Sequence, residues 1–207
     1  MLMMLVGAVA AYCLGAFPTS YLMGKVLKGI DIRRHGSGNV GATNVYRVVG
    51  KVPGVLVLIV DMGKGWVPVV LGAPWVIVAG VTLPLETVQA LLGLCAVCGH
   101  IWSPFLGFGG GKGVATATGV LLGLSPVLAG LAALVWIGVA MTTRYVSVSS
   151  MVAVTIVPFL MAATARPTSW VMVGAVLCVI IVARHRPNIV RLLHHEEHRI
   201  GEKVRVE

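Results

Sequence analysis

The chain is built from long apolar runs separated by short polar stretches. The runs cover residues 2–23, 52–70, 83–97, 114–141, 148–165 and 170–183. A helix needs about 20 residues to cross a bilayer core about 30 Å thick, and fewer where the bilayer thins. Several runs fall near that limit, so short helices are expected. The run at 114–141 is long enough for one tilted crossing. Ser125-Pro126 divides it, however, and proline ends or kinks a helix by removing a backbone donor. Two short helices forming a hairpin are the alternative.

Charge decides between the two. Cations collect on the cytoplasmic side of membrane proteins. With the N-terminus outside and a hairpin at 114–141, seven segments result. The cytoplasmic stretches are then 25–51, 101–112, 142–147 and 184–207. They hold every Lys and Arg except Lys64, inside a span, and Arg166, outside. A single crossing would place Arg144 and all cations of the last stretch outside. The expectation is an all-α, polytopic helical bundle of about seven transmembrane segments, with a cytoplasmic C-terminus and a single domain over 1–207. The first run has no basic residues before it, and Lys25 and Lys28 follow it. That pattern favours a retained signal-anchor over a cleaved signal peptide.

Composition agrees. Hydrophobic residues make up 57% of the chain and charged ones 11%, against about 25% charged in a soluble domain. The net charge of +9 fits cytoplasmic cations or an anionic substrate. Nucleic acid is not expected, because no soluble basic domain carries the charge. Cys13, Cys95, Cys98 and Cys178 all lie in apolar runs and read as buried thiols. Cys95 and Cys98 lack the second ligand pair of a metal site.

Two glycine-rich stretches interrupt the apolar pattern. One is Gly36-Ser37-Gly38-Asn39-Val40-Gly41-Ala42-Thr43-Asn44. The other is Gly109-Gly110-Gly111-Lys112-Gly113-Val114-Ala115-Thr116. Both combine bare backbone, hydroxyl or amide side chains and a nearby cation, the chemistry of a phosphate cradle. Arg47 follows Asn44 by three and shares its face if that segment is helical. Lys112 would sit at the opening of a helix, whose N-terminus attracts anions. Both stretches imitate nucleotide motifs and fail on context. Gly36, Gly38 and Gly41 match a dinucleotide fingerprint, and Asp61 stands where a ribose-binding acid would, but no strand precedes them. The second lacks the Walker glycine and hydroxyl, having Leu106 and Gly113 instead, so ATP hydrolysis is not supported.

Other polar groups stand out. Asp61 and Lys64 lie one turn apart within a span, where charges are costly and usually paired or functional. A structural ion pair and a substrate contact are both open. His100 ends a span beside the second stretch. His194, Glu197 and His198 fit a bare H-x-x-E-H zinc pattern, but a solvated surface helix explains them better. No metal or cofactor is expected.

These motifs resemble the PlsY family of acyl-phosphate:glycerol-3-phosphate acyltransferases. Residues 36–44 with Arg47 resemble its first cytoplasmic motif, and Gly99-His100-Ile101-Trp102 through Thr116 its second. His185-Arg186-Pro187-Asn188-Ile189-Val190-Arg191-Leu192 resembles the third. Asp61-x-x-Lys64-Gly65 and Arg144-Tyr145-x-Ser147-x-x-Ser150 also match family positions. The likeness runs in order along almost the whole chain. It departs at Gly109, where the family often has Lys or Arg, and at His195, where it usually has Gly two residues before the acid matched by Glu197.

The resemblance implies transfer of a fatty acyl group from acyl phosphate to the 1-hydroxyl of sn-glycerol 3-phosphate. The products would be lysophosphatidic acid (1-acyl-glycerol 3-phosphate) and phosphate, the first acylation of phospholipid biosynthesis. The setting would be a bacterial inner membrane, with the site at the cytoplasmic face and membrane lipids around a monomer. Lys112 and the backbone of Gly110, Gly111 and Gly113 are assigned to glycerol 3-phosphate. Ser37, Asn39, Arg47 and Asn188 are assigned to the acyl phosphate or the developing oxyanion, and His185 to orientation or proton relay. Family positions add Gly38, Thr43, Asn44, Lys64, His100, Thr116, Arg144, Ser147, Ser150, Arg186 and Glu197 as substrate-binding. No carboxylate base or Ser-His-Asp order is seen, so the phosphate of the activated donor would take the proton, with catalysis mostly by positioning. The competing classes are a transporter for an organic phosphate, which short broken helices would suit, and a non-catalytic scaffold.

Overall fold

A computed structural model describes residues 1–202. Lys203 and Arg205, counted above among the cytoplasmic cations, lie outside the described residues. The described residues form eleven α-helices: α1 Leu2–Ala16, α2 Thr19–Lys28, α3 Ala42–Val48, α4 Lys51–Val67, α5 Ala73–Val78, α6 Leu85–Ile101, α7 Val114–Leu124, α8 Pro126–Thr143, α9 Val146–Ala163, α10 Thr168–Arg184 and α11 Arg186–Leu193. Among the described residues there is no strand.

Prolines and glycines set the boundaries. The first apolar run breaks at Phe17-Pro18, where Phe17 turns extended, with ψ 123°, as a residue before proline prefers. The chain resumes as α2 and stops on Gly29 in the left-handed conformation. The second run is longer than its sequence suggested. A π-helical turn at Pro68–Gly72 carries α4 into α5, so the apolar span reaches from Lys51 to Val78. The run at 114–141 divides as Ser125-Pro126 implied. Ser125 caps α8 by accepting from Leu128 N–H at 3.4 Å, and Pro126 takes the first helical position, where its missing donor costs nothing. The eleven residues of α7 make a short apolar helix. Between α10 and α11 the axis bends by 51°, just before Pro187.

Five helices are long and apolar enough to cross a membrane, or six if the bent pair α10–α11 counts as one span. Large apolar side chains cover the outside of the bundle, among them Ile59, Leu134, Met141, Phe159 and Met172, each at least 60% exposed. That surface suits lipid, not water.

Two crossings hold the interior together, and both use backbone against backbone. At the α1–α6 crossing, a Cβ on Gly99 would overlap the Tyr12 carbonyl and one on Gly15 the Ala96 carbonyl. At the α4–α7 crossing, Gly65 meets the Thr116 carbonyl and Gly119 the Met62 carbonyl in the same way. Small residues at such contacts let membrane helices pack closely where no hydrophobic force separates lipid from protein. Gly99→Val is therefore expected to destabilise the bundle by at least about 1–3 kcal/mol, the usual cost of overpacking. Thermal unfolding in detergent would show it as a lowered midpoint. An unchanged midpoint would mean the crossing relaxes freely.

Candidate active site

The two glycine-rich stretches meet. Gly111 lies so close to the Val40 carbonyl and to His100 Nε2 that a Cβ there would overlap both. One loop therefore rests directly on the other, under the C-terminal end of α6.

Each loop is organised by its own hydrogen bonds. Asn44, on the first turns of α3 and almost fully buried, donates to the carbonyls of Ile32 at 3.3 Å, His35 at 3.0 Å and Asn39 at 3.1 Å. Its Oδ1 accepts from Ser37 N–H at 3.0 Å. All its polar capacity goes to the loop, so Asn44 shapes the loop instead of touching substrate. This leaves the Ser37 hydroxyl and the side chains of Asn39 and Thr43 half-buried, with no side-chain bond of their own among the described residues. Gly38 stands at φ 69°, where its N–H turns back to the His35 carbonyl at 3.1 Å.

In the second loop, Gly110 N–H donates to Ile101 at 3.0 Å and Gly111 N–H to His100 at 3.1 Å. These bonds cap the open carbonyls at the end of α6. The expected phosphate donors at Gly110 and Gly111 are thus already committed. Lys112 and Gly113 N–H have no such bond among the described residues. Gly113, at φ 88°, forms the N-cap of α7.

The cations converge from separate elements. Lys112 donates to Asn188 Oδ1, and Asn188 Nδ2 donates to Glu197 Oε1 at 2.7 Å. Ser147 Oγ donates to the same oxygen at 2.8 Å, and Arg191 Nε to Oε2 at 2.8 Å. Arg47 reaches from α3 to the His198 carbonyl at 3.3 Å, and Arg184 to the Gly110 carbonyl at 3.3 Å. Burial pushes Lys112 from 10.5 down to about 8. The Glu197 charge pulls it back, while Arg191, Arg47 and Arg184 push it further down. Burial pushes the Glu197 carboxyl up, but the hydrogen bonds from Asn188, Arg191 and Ser147 outweigh it and hold the group below its ordinary value. His185 is buried, and its Nδ1 lies 2.7 Å from the Ile181 carbonyl. As a neutral imidazole it donates there, which leaves Nε2 as an acceptor.

Several residues assigned to substrate are engaged by other groups of the protein. Lys64 is buried and takes Asp61 Oδ1 and the Phe17 carbonyl, each at 2.6 Å, so the ion pair is structural. Thr116 is fully buried at the α4–α7 crossing, its hydroxyl without a partner among the described residues. Ser150 accepts from Trp136 Nε1 at 3.2 Å and ties α8 to α9. Arg144 is exposed and clasps the tail, donating to Ile200 O at 3.1 Å while its own carbonyl accepts from Ile200 N–H at 2.8 Å. Arg186 is exposed and makes no hydrogen bond among the described residues. Glu197 accepts from Asn188, Arg191 and Ser147 and so organises all three. His100 faces Asp61, with Nδ1 4.0 Å from Oδ1. Among the described residues no His, Cys, Asp or Glu group could hold a metal. Arg184 and Arg191 also reach the site, from the end of α10 and from α11; the sequence shows the first beside His185 and the second within the third motif.

Helices faced with lipid, carrying a cation-rich polar site with a single carboxylate at its centre, define an integral membrane enzyme for anionic substrates. The chain belongs to the glycerol-3-phosphate acyltransferase family, whose sequence model matches residues 5–195. It is 45% identical over 97% of its length to glycerol-3-phosphate acyltransferase 2 of Moorella thermoacetica, all of which is covered. It is 42% identical to the Geobacter sulfurreducens glycerol-3-phosphate acyltransferase, covering 96% of this chain and 98% of that one. The crystal structure of PlsY (YgiH), an integral membrane glycerol 3-phosphate acyltransferase, in its glycerol 3-phosphate form superposes with a TM-score of 0.87. Identity is 40%, over 96% of each chain. The lysophosphatidic acid form of PlsY (YgiH) gives 0.84 at 40% identity, over 96% of this chain and 95% of that one.

Glu197 is ionised above the ordinary carboxylate range, and its bonds stabilise the fold there. That contribution is lost as pH falls through its lowered value. Glu197→Gln should cost about 1.5–3 kcal/mol near neutral pH, the range for hydrogen bonds to a charged group. It should also flatten the drop in unfolding temperature below about pH 4.5. Equal acid sensitivity in both proteins would place the acid-labile group elsewhere.

Proposed function

We propose that this glycerol-3-phosphate acyltransferase takes its acyl group from acyl phosphate. It transfers that group to the 1-hydroxyl of sn-glycerol 3-phosphate, releasing lysophosphatidic acid and phosphate. The observation that carries the reading is the convergence of Arg47, Lys112, Arg184 and Arg191 around the one carboxylate of Glu197. The site has an excess of positive charge suited to two phosphates, beside a surface where an acyl chain can remain in lipid.

The substrate oxygen attacks the acyl carbon, and the bond from that carbon to the phosphate oxygen breaks. The proton of the hydroxyl leaves on the released phosphate. An acyl phosphate is already activated, so the protein positions the partners and stabilises the oxyanion. Lys112, its ammonium fixed by Asn188, is assigned to glycerol 3-phosphate with the Gly113 N–H. Ser37, Asn39, Thr43 and Arg47 are assigned to the acyl phosphate. His185 Nε2 is assigned to orientation or proton relay.

The same reading sets the protein in a bacterial inner membrane as seven segments, with the N-terminus outside and the site facing the cytoplasm. Its support is the distribution of cations and the break at Ser125. The same reading takes the protein as a monomer. In cysteine-free protein, Thr82→Cys should react with an impermeant thiol reagent in intact cells, while Lys28→Cys should stay unlabelled. The reverse pattern would invert the topology.

Purified protein given palmitoyl phosphate and labelled glycerol 3-phosphate should yield labelled lysophosphatidic acid. Vesicle uptake of label without product would overturn the reading in favour of transport. Lys112→Ala should lower kcat/KM for glycerol 3-phosphate about 100-fold. In the parent protein kcat/KM should fall as pH rises through about 8, because Lys112 loses its charge there. Lys112→Arg should remove that fall.

A further inference from the structure

The break in the first span at Phe17-Pro18 borders a small space between the end of α1, α4 and the end of α6. Thr19, Ser20, Asp61, His100, Val40 and Gly111 are among the residues that line it. It has room for the centre of about one water, ≈ 10 Å³. Three side chains on its wall carry a buried polar atom with no partner among the described residues: Thr19 Oγ1, Ser20 Oγ and Asp61 Oδ2. Thr19 is 9% exposed, Ser20 2% and Asp61 1%. An unpaired buried oxygen costs about 1–3 kcal/mol, and three around one space point to something that joins them.

Charge says what that is. Asp61 Oδ1 already pairs with the Lys64 ammonium at 2.6 Å, and Lys64 is itself buried and held by the Phe17 carbonyl. The carboxylate is therefore neutralised. A second cation would be repelled by the ammonium, and an anion by Asp61. A small neutral molecule that both donates and accepts fits. Buried waters make about three hydrogen bonds and need roughly 10–15 Å³.

We propose that one ordered water bridges Asp61 Oδ2, Thr19 Oγ1 and Ser20 Oγ, and that this buried cluster positions the junction of the two glycine-rich loops. Val40 and Gly111 line the same space, and Gly111 is wedged between the Val40 carbonyl and His100 Nε2. His100 faces Asp61 on its other side. The chain of contact runs from the helix break through Asp61 and His100 to Gly111, the residue before Lys112. Thr19, Ser20 and Asp61 are positioning residues, and none touches substrate. The water stands apart from the acyl-transfer reading; only its kinetic consequence rests on it.

Two measurements test this. Diffraction from the wild-type protein at a resolution that shows waters should find one peak within hydrogen-bond reach of all three oxygens. A dry space overturns the proposal, and so does an ion with the shorter contacts and regular coordination of a metal. In the second, Thr19→Val with Ser20→Ala should raise KM for glycerol 3-phosphate about 5-fold, the size of one lost hydrogen bond, with kcat nearly unchanged. Thr19→Ser alone should leave KM at the parent value. A folded double variant with the parent KM overturns the positioning role. If wild-type protein made no lysophosphatidic acid, the functional reading would fail while the diffraction result still judged the water.

Discussion

Cations gathered in one small volume repel one another, and the Glu197 carboxylate lets Arg47, Lys112, Arg184 and Arg191 remain together. Its two oxygens receive Asn188, Ser147 and Arg191, so its charge is both shared and fixed. The Asn188 amide is thereby oriented, with its oxygen turned to Lys112. One acid against four bases leaves the site positive, and a partly dehydrated positive site favours multiply charged anions. Lys112 is lowered first by burial and then by the neighbouring arginines. The site holds its proton loosely until an anion arrives.

That electrostatic arrangement needs rigid supports, and the glycine crossings supply them. The α1–α6 crossing brings the Phe17-Pro18 break against the end of α6, where Ser103 Oγ donates to the Ala16 carbonyl at 2.6 Å. The α4–α7 crossing fixes the helix that begins directly after Lys112. Both loops are attached to elements locked backbone to backbone. Precision in the loops comes from packing within the membrane.

Much of this was legible in the sequence, and the remainder was hidden for physical reasons. The Ser125-Pro126 break could be read because proline ends or kinks a helix and the cation distribution favoured a hairpin there. The break at Pro18 was obscured by the apolar residues around it, and the continuation to Val78 by a π turn that no periodicity marks. Cations were legible as charge, yet the sequence does not say which ones meet. Arg144 and Arg186 read as equals of Arg184 and Arg191, but the tail engages the first and the second stays exposed. Asn44 and Gly110 to Gly111 read as substrate groups because they carry donors. Folding claims those donors first, since the carbonyls at the end of α6 and around residues 32–39 have no other partners.

The site draws its parts from α3 and the loop before it, the loop between α6 and α7, the start of α9, the end of α10, α11 and the segment beyond it. No contiguous portion of the chain contains it. A chain still being inserted has its phosphate loops in place long before Asn188 and Glu197 arrive, so it cannot yet fix Lys112 or balance its charge. The site is therefore complete only when the whole bundle is, and a partly built copy in the membrane holds its two loops without the groups that tie them together.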